Sequence, residues 1–166
     1  ELDREAVSGY TLSVTATDHG RPSQSDTVDM EIVIDDVNDN FPKFLEAIYE
    51  GEEYENSYIG NSILTISATD EDVGLNGNVR YTFENGDSGG GDFTLDATLG
   101  ILRTAKELDH ERISFYELLA FAVDRGTPEK STSVVIKIKV QDINDNAPSF
   151  PSDPINATVA ENSVVG

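Results

Sequence analysis

Residues 36–40 read DVNDN and lead into Pro42; residues 142–146 read DINDN and lead into Pro148. Each pentapeptide concentrates two carboxylates and two carboxamides just ahead of a proline that cannot donate to a central β-ladder. The second copy lies 106 positions after the first, which points to a repeated unit with a polar joint between copies.

Working outward, residues 1–44 laid on residues 107–150 pair LDRE with LDHE, ATDHGRP with AVDRGTP and DVNDNFPKF with DINDNAPSF, leaving 20 of the 44 positions identical. The same offset carries Glu55-Asn56-Ser57 onto Glu161-Asn162-Ser163. A period of this length is one whole domain and not a solenoid module. With boundaries after each NDN, residues 1–41 form the second half of one domain, 42–147 a complete domain and 148–166 the start of a third.

Composition removes several function classes. The 166 residues carry 32 Asp and Glu against 11 Lys and Arg, a formal net charge of −21. Phosphate binding needs clustered cations, so a nucleic-acid partner is excluded. Acidity of this degree suits a disordered chain, but β-branched runs such as the one from Ser133 to Val140 place it on a folded scaffold. No cysteine is present, which rules out disulfides, thiol nucleophiles and thiolate metal sites. No apolar stretch reaches the roughly 20 residues of a membrane span, and residues 1–5 lack signal-peptide character. Any membrane anchor of the parent protein is expected outside this segment.

Within 42–147 the pattern is of short strands with polar turns. Ile63–Ala68, Val79–Phe83 and Val134–Val140 alternate apolar with polar or small residues, and Asn85–Gly91 is a loop by composition. Such spacing predicts an all-β antiparallel sandwich. Ala105–Arg112 alone has modest helical character and is expected as a short turn or helical crossover. Phe44, Tyr49, Tyr81, Phe83, Tyr116 and Phe121 are expected as core or sandwich-edge residues.

Asp, Asn and Glu are hard oxygen donors, and a calcium ion takes six to eight oxygens from carboxylates, amide carbonyls and backbone carbonyls. In an extended pentapeptide alternate side chains point to opposite sides, so one DxNDN segment can serve several ions. An isolated Asp-Asn cluster reads better as a solvated turn. Here acids recur in separate segments (Asp3 and Glu5, Asp36 and Asp39, Asp70 and Asp72, Asp124), and the repeat keeps the carboxylates while Arg4 becomes His110 and Val37 becomes Ile143. That pattern favours ligands.

The order LDRE, ATD followed by GRP, DVNDN, Glu55-Asn56, ATDED at 68–72, Gly74, Asn76-Gly77, LDHE and DINDN resembles tandem extracellular cadherin repeats over the whole chain. The resemblance implies tandem seven-stranded Greek-key β-sandwiches of immunoglobulin type, with up to three calcium ions at each junction. At the first junction it implies that Asp3 and Glu5 serve the upper ions, Asp36 and the Val37 carbonyl the middle one, with Asp39 bridging the two. It assigns the lowest ion to Asn38, the Asn40 carbonyl, Asp70, Asp72, the Asn76 carbonyl and Asp124, with Asp72 bridging to the middle ion. The glutamate expected near the start of the upper domain would precede residue 1, leaving the upper sites incomplete and the lowest complete. At the second junction it implies Glu55, Asp109, Glu111, Asp142, the Ile143 carbonyl and Asp145, with Asn144 and Asn146 directed at the following domain. Asp18 and Glu161 would belong to junctions beyond either end.

The remaining candidates read plainly. His19 and His110 are expected as surface turn residues, because the repeat has Arg125 and Arg4 in their places. Asp109-His110-Glu111 beside Ser114 lacks any nucleophile-elbow or oxyanion motif, so no enzyme activity and no small-molecule substrate are expected. Asn156-Ala157-Thr158 is an N-glycosylation acceptor, in keeping with an extracellular location. Strand-swapping cadherins use an amino-terminal tryptophan, and this chain has no Trp, so it resembles a middle segment of a protocadherin-like or large Fat- or Flamingo-like receptor. The function implied is calcium-dependent cell adhesion with another cadherin ectodomain, homophilic or heterophilic, as partner. A structural spacer with no partner surface, or an acidic calcium buffer without adhesion, competes with it.

Overall fold

The computed structural model describes residues 2–150 and, beyond them, positions 154, 156, 158, 160 and 161. Of the residues expected to open a third domain, Asn162 and Ser163 lie outside the described set, while Asn156, Thr158 and Glu161 are exposed. In chain order the strands are β1 (Gly9–Thr17), β2 (Ser25–Val33), β3 (Lys43–Phe44), β4 (Ile48–Tyr54), β5 (Ser62–Thr65), β6 (Ala68–Thr69), β7 (Arg80–Phe83), β8 (Phe93–Leu95), β9 (Ile101–Thr104), β10 (Phe115–Val123) and β11 (Ser131–Gln141).

Two sheets face each other, one ordered β4-β11-β10-β7 and the other β5-β9-β8, with the two-residue ladder β3-β6 at their margin. The chain passes from one sheet to the other between β4 and β5, returns at β7, and crosses twice more before β10, which is the seven-stranded Greek-key sandwich the sequence predicts. β4 runs parallel to β11, and the other pairs are antiparallel.

Period-two patterning determines the faces. Along β10, Tyr116, Leu118, Ala120 and Ala122 point inward and are buried; along β11, Val134, Ile136, Ile138 and Val140 do the same. Phe93, Leu102 and Ile66 meet them from the opposite layer. Gly51 on β4 allows the sheets to close there, since a Cβ would stand 2.9 Å from Ile63 and 3.0 Å from Leu64.

The repeat in sequence is a repeat in geometry. β1 and β2 pair with Gly9 opposite Val33, and β10 and β11 pair with Phe115 opposite Lys139, the same register 106 residues later.

Three local expectations are refined. The run Ile63–Ala68 splits into β5 and β6, because the Tyr49 hydroxyl bonds both backbone groups of Ser67 and the Tyr81 hydroxyl accepts the Ala68 amide at 2.8 Å. Ala105–Arg112 forms a turn without a helix. Asp109 closes it, its backbone oxygen accepting the Ile113 amide and its side chain the Arg112 amide, both at 2.9 Å. Asn85–Gly91 begins in a short 3-10 turn, Glu84–Gly86.

Candidate metal centre

The first junction is assembled from four backbone segments. The linker after β2 brings Asp36, Asn38, Asp39 and Asn40; the turn ahead of β1 brings Asp3 and Glu5; the loop between β6 and β7 brings Asp70, Asp72 and Asn76; and the β10–β11 loop brings Asp124. Carboxylate oxygens of Glu5, Asp39 and Asp72 lie within 4.8 Å of one another. Asp3, Glu5, Val37 and Asp39 line one cleft there.

Backbone donors fix the acids in place. Asp36 accepts the Val73 amide at 3.2 Å and the Asn76 carboxamide at 2.8 Å. Asp72 accepts both the Asn40 amide at 3.2 Å and its carboxamide at 2.7 Å. Asp124, fully buried, accepts the amides of Gly126 and Lys130 on one oxygen. Asp18 makes the equivalent pair of bonds to Gly20 and Gln24 in the first copy.

These bonds leave specific oxygens over. Asp70 gives one oxygen to the Asp72 amide, Asp124 one to its loop, and Asn38 donates its amide nitrogen to the Pro128 carbonyl. The other oxygen of each (Asp70 Oδ2, Asp124 Oδ2 and Asn38 Oδ1) is buried with no hydrogen-bond partner. A buried acceptor left unpaired costs about 1–3 kcal/mol, and more when charged. Three such acceptors, all hard oxygens in one junction, fit a calcium ion. Glycine is required beside them: a Cβ on Gly126 would stand 2.1 Å from Asn38 Nδ2, and one on Gly77 would stand 2.0 Å from the Asp72 carbonyl oxygen.

Electrostatics differ among these acids. Burial, with Asp72 and Asp124 close by, holds the Asp70 carboxyl above the usual carboxylate range. Asp36 is also pushed up by burial, but the donors Asn76 and Val73, together with the Arg4 guanidinium, bring it below that range.

Arg4 was legible in the sequence only as a position that varies between copies. Its guanidinium forms ion pairs with Glu5 and Asp36 and donates to the Glu71 carbonyl at 2.7 Å, joining the first unit to the second.

The second junction repeats the arrangement. Oxygens of Glu55, Glu111 and Asp145 cluster within 4.8 Å, and Asp109 and Asn146 line the same cleft. Glu55 is 1% exposed and accepts the Ile143 amide at 2.6 Å and the His110 amide at 2.8 Å, which hold its carboxyl below the usual range. Asn56 donates to Asp145 at 2.6 Å. Asp142 lies by His110 and Glu111, with His110 half-buried in the turn. Asn144 is exposed, and among the described residues no hydrogen bond ties its side chain to the other candidates.

Behind this junction stands a group that sequence reading missed. Asp92, 2% exposed, accepts from Arg112 at 2.8 Å, from the Tyr116 hydroxyl at 2.7 Å and from Lys106 at 3.0 Å. Its carboxyl is pushed up by burial, yet the Arg112, Tyr116 and Lys106 donors bring it down to about 2. Burial beside that carboxylate raises the Tyr116 phenol to about 12. The cluster ties the turn carrying Asp109 and Glu111 to the loop before β8.

Residues 49–141 match the Cadherin domain model. The chain belongs to the cadherin family. This cadherin segment is 50% identical over 165 residues to the human Cadherin EGF LAG seven-pass G-type receptor 3, covering 99% of the chain and 5% of that receptor. It is 47% identical over 165 residues to the Drosophila melanogaster Protocadherin-like wing polarity protein stan, again covering 99% of the chain and 5% of the relative. The chain thus spans only about one-twentieth of the length of the curated relatives it matches. Among solved structures, the Protocadherin GammaB4 extracellular domain superposes with a TM-score of 0.79 at 36% identity, over 91% of this chain and 25% of that one. Mouse Cadherin-23 EC22-24 gives 0.76 at 30% identity, over 87% and 46%. The relatives are cadherin receptors, and the chain is a stretch of extracellular cadherin repeats. Among the described residues no helix is long and apolar enough to cross a membrane.

Proposed function

We propose that this segment is a calcium-stiffened part of an adhesive ectodomain, whose two junctions bind calcium and fix neighbouring repeats in line. The observation that carries the reading is the set of buried, unpartnered oxygens of Asp70, Asp124 and Asn38, drawn together from loops of the sandwich and from the linker. Asp3, Glu5, Asp36, Asp39, Asp70, Asp72 and Asp124 supply seven carboxylates to the first junction. So many like charges at short range favour a splayed linker until divalent cations offset them.

The Val37, Asn40 and Asn76 carbonyls and the Asn38 carboxamide complete the donor set there. Glu55, Asp109, Glu111, Asp142, the Ile143 carbonyl and Asp145 form the counterpart at the second junction, where Asn144 and Asn146 serve the repeat that follows. Residues 42–147 are the complete repeat, 1–41 the end of the one before and 148–166 the beginning of the next. The bound ion supplies positive charge and a cross-link; the chain supplies oxygens from both sides of each linker, so binding selects the aligned arrangement and stabilises it by mass action. The partner is another cadherin ectodomain.

The test is calcium titration followed by thermal unfolding and small-angle scattering, beside the double variant Asp39→Ala/Asp145→Ala. The expected result is a higher melting temperature and a longer particle with calcium, both lost in the variant. A calcium-indifferent chain overturns the reading. Calcium-dependent aggregation of beads coated with the chain is the expected sign of adhesion; stiffening without aggregation reduces the segment to a spacer.

A further inference from the structure

We infer that the outer face of the sheet β4-β11-β10-β7 is a self-association surface, on which the same face of a second copy of this chain docks. The inference rests on the reading of the partner as another cadherin ectodomain and names the surface involved. An antiparallel sheet with one face in solvent alternates apolar and polar residues along its strands. Along β10, however, the inward Leu118, Ala120 and Ala122 are interleaved with the outward Leu119, Phe121 and Val123, so the strand is apolar on both faces there. Val135 on β11 stands opposite Leu119, and Ile48 on β4, 46% exposed, stands opposite Val135. These outward side chains remain partly exposed, and none belongs to the core cluster between the sheets. A contiguous apolar patch of this kind marks a contact surface. The first copy is an internal control. Ser13, Thr15, Thr17 and Asp29 hold the positions of Leu119, Phe121, Val123 and Val135, in the same register. There the Ser13 hydroxyl donates to Asp29, and the Thr15 and Thr27 hydroxyls bond each other at 2.8 Å. The hairpin itself therefore does not require an apolar outer face.

Charge decides the occupant. With a net charge of −21, two copies repel each other over most of their surface. On this face Lys137 lies between Glu117 and Glu50, and Lys139 lies beside Glu52, which brings the patch close to neutrality; the first copy has Glu31 where Lys137 stands. Sheets packed face to face keep their strand directions within about 30° of one another. A two-fold axis running along the strands, midway between β10 and β11, then sets Lys137 of each copy against Glu117 of the other and Val135 against Leu119, with both copies running in the same direction. The face is complementary to itself, as an isologous dimer requires.

The experiment is sedimentation velocity of the chain in calcium over a range of concentrations. The variants are Leu119→Ser/Phe121→Thr, which copies the first hairpin, and the single changes Glu117→Lys and Lys137→Glu, each of which sets like charges together across the axis. The unaltered chain should dimerise, and each variant should weaken the dimer at least about tenfold while keeping its melting temperature. Mixed one to one, Glu117→Lys and Lys137→Glu should restore the dimer, because the mixed pair meets opposite charges at both contacts; a variant that had merely misfolded could not be rescued in this way. A parent chain that stays monomeric, dimerisation equal in all variants, which would leave this face to a different partner, or a mixture no better than its components overturns the inference. A parallel calcium titration separates the two readings: calcium stiffening without the charge-dependent dimer sinks this surface alone, and the charge-dependent dimer in a calcium-indifferent chain sinks the proposed function alone.

Discussion

Replacing Asp70 by Asn should have opposite effects with and without calcium. Asp70 is half-buried, one oxygen holding the Asp72 amide and the other unpartnered, with Asp72 and Asp124 raising its pKa further after burial. A carboxyl whose folded pKa lies above its unfolded value contributes stability that is fully present below the unfolded pKa and is lost as pH rises through the folded one, leaving the ionised form the less favourable in the fold. At neutral pH in a chelator the ionised side chain therefore destabilises the fold. Asn keeps an acceptor for the Asp72 amide and removes the charge, so the variant should melt higher than the parent, with the gap closing towards pH 4. In calcium the order reverses. With an affinity near 10⁻⁴ M, typical of extracellular modules, 10 mM calcium stabilises the parent by about 2.7 kcal/mol per site. For a domain of this size that is a shift of roughly 10–20 °C, most of which the variant should lose at this site. The assay is differential scanning fluorimetry at two pH values with chelator or calcium. A variant less stable than the parent in both conditions, or one with the parent's full calcium shift, refutes the argument.

Other outcomes follow from the same geometry. Asp92→Asn should cost about 2 kcal/mol at pH 7, since a folded pKa of about 2 against an ordinary 3.8 corresponds to about 2.4 kcal/mol before allowing for its half-exposed cationic partners. The difference between variant and parent in urea unfolding should shrink as pH falls from 4 towards 2; a pH-independent difference would count against the ion cluster. Gly77→Ala and Gly100→Ala should separate site from scaffold. The added Cβ meets the Asp72 carbonyl oxygen at 2.0 Å in the first and the Ile66 carbonyl oxygen at 2.2 Å, at φ +67°, in the second. Both should lower the melting temperature in chelator, but only Gly77→Ala should blunt the calcium response measured by calorimetry. Glu55→Gln should weaken calcium binding at the second junction while the first, read through Asp39→Ala, is unchanged.

Much was legible in the sequence because it is carried by local order. Period-two alternation in Val134–Val140 depends on which residues follow one another, and so does the donor inventory of DVNDN and DINDN; with the 106-residue offset these were enough to predict the sandwich and single out the recurring carboxylates, while the full ligand set is what the resemblance to cadherin repeats implies. Tertiary structure decided what depends on distant partners. Asn38 spends its nitrogen on the Pro128 carbonyl, 90 residues away, and only that bond shows which of its atoms is left over. Asp92 looks like one more loop acid until Arg112, Lys106 and Tyr116 close on it from the next turn and strand. Arg4 read only as a position that varies between copies, and it takes the fold to show its guanidinium paired with Glu5 and Asp36. Patterning along the chain selects the fold because burial is non-directional and additive; the character of each junction depends on the direction and pairing of individual oxygens, which only the folded chain brings into range.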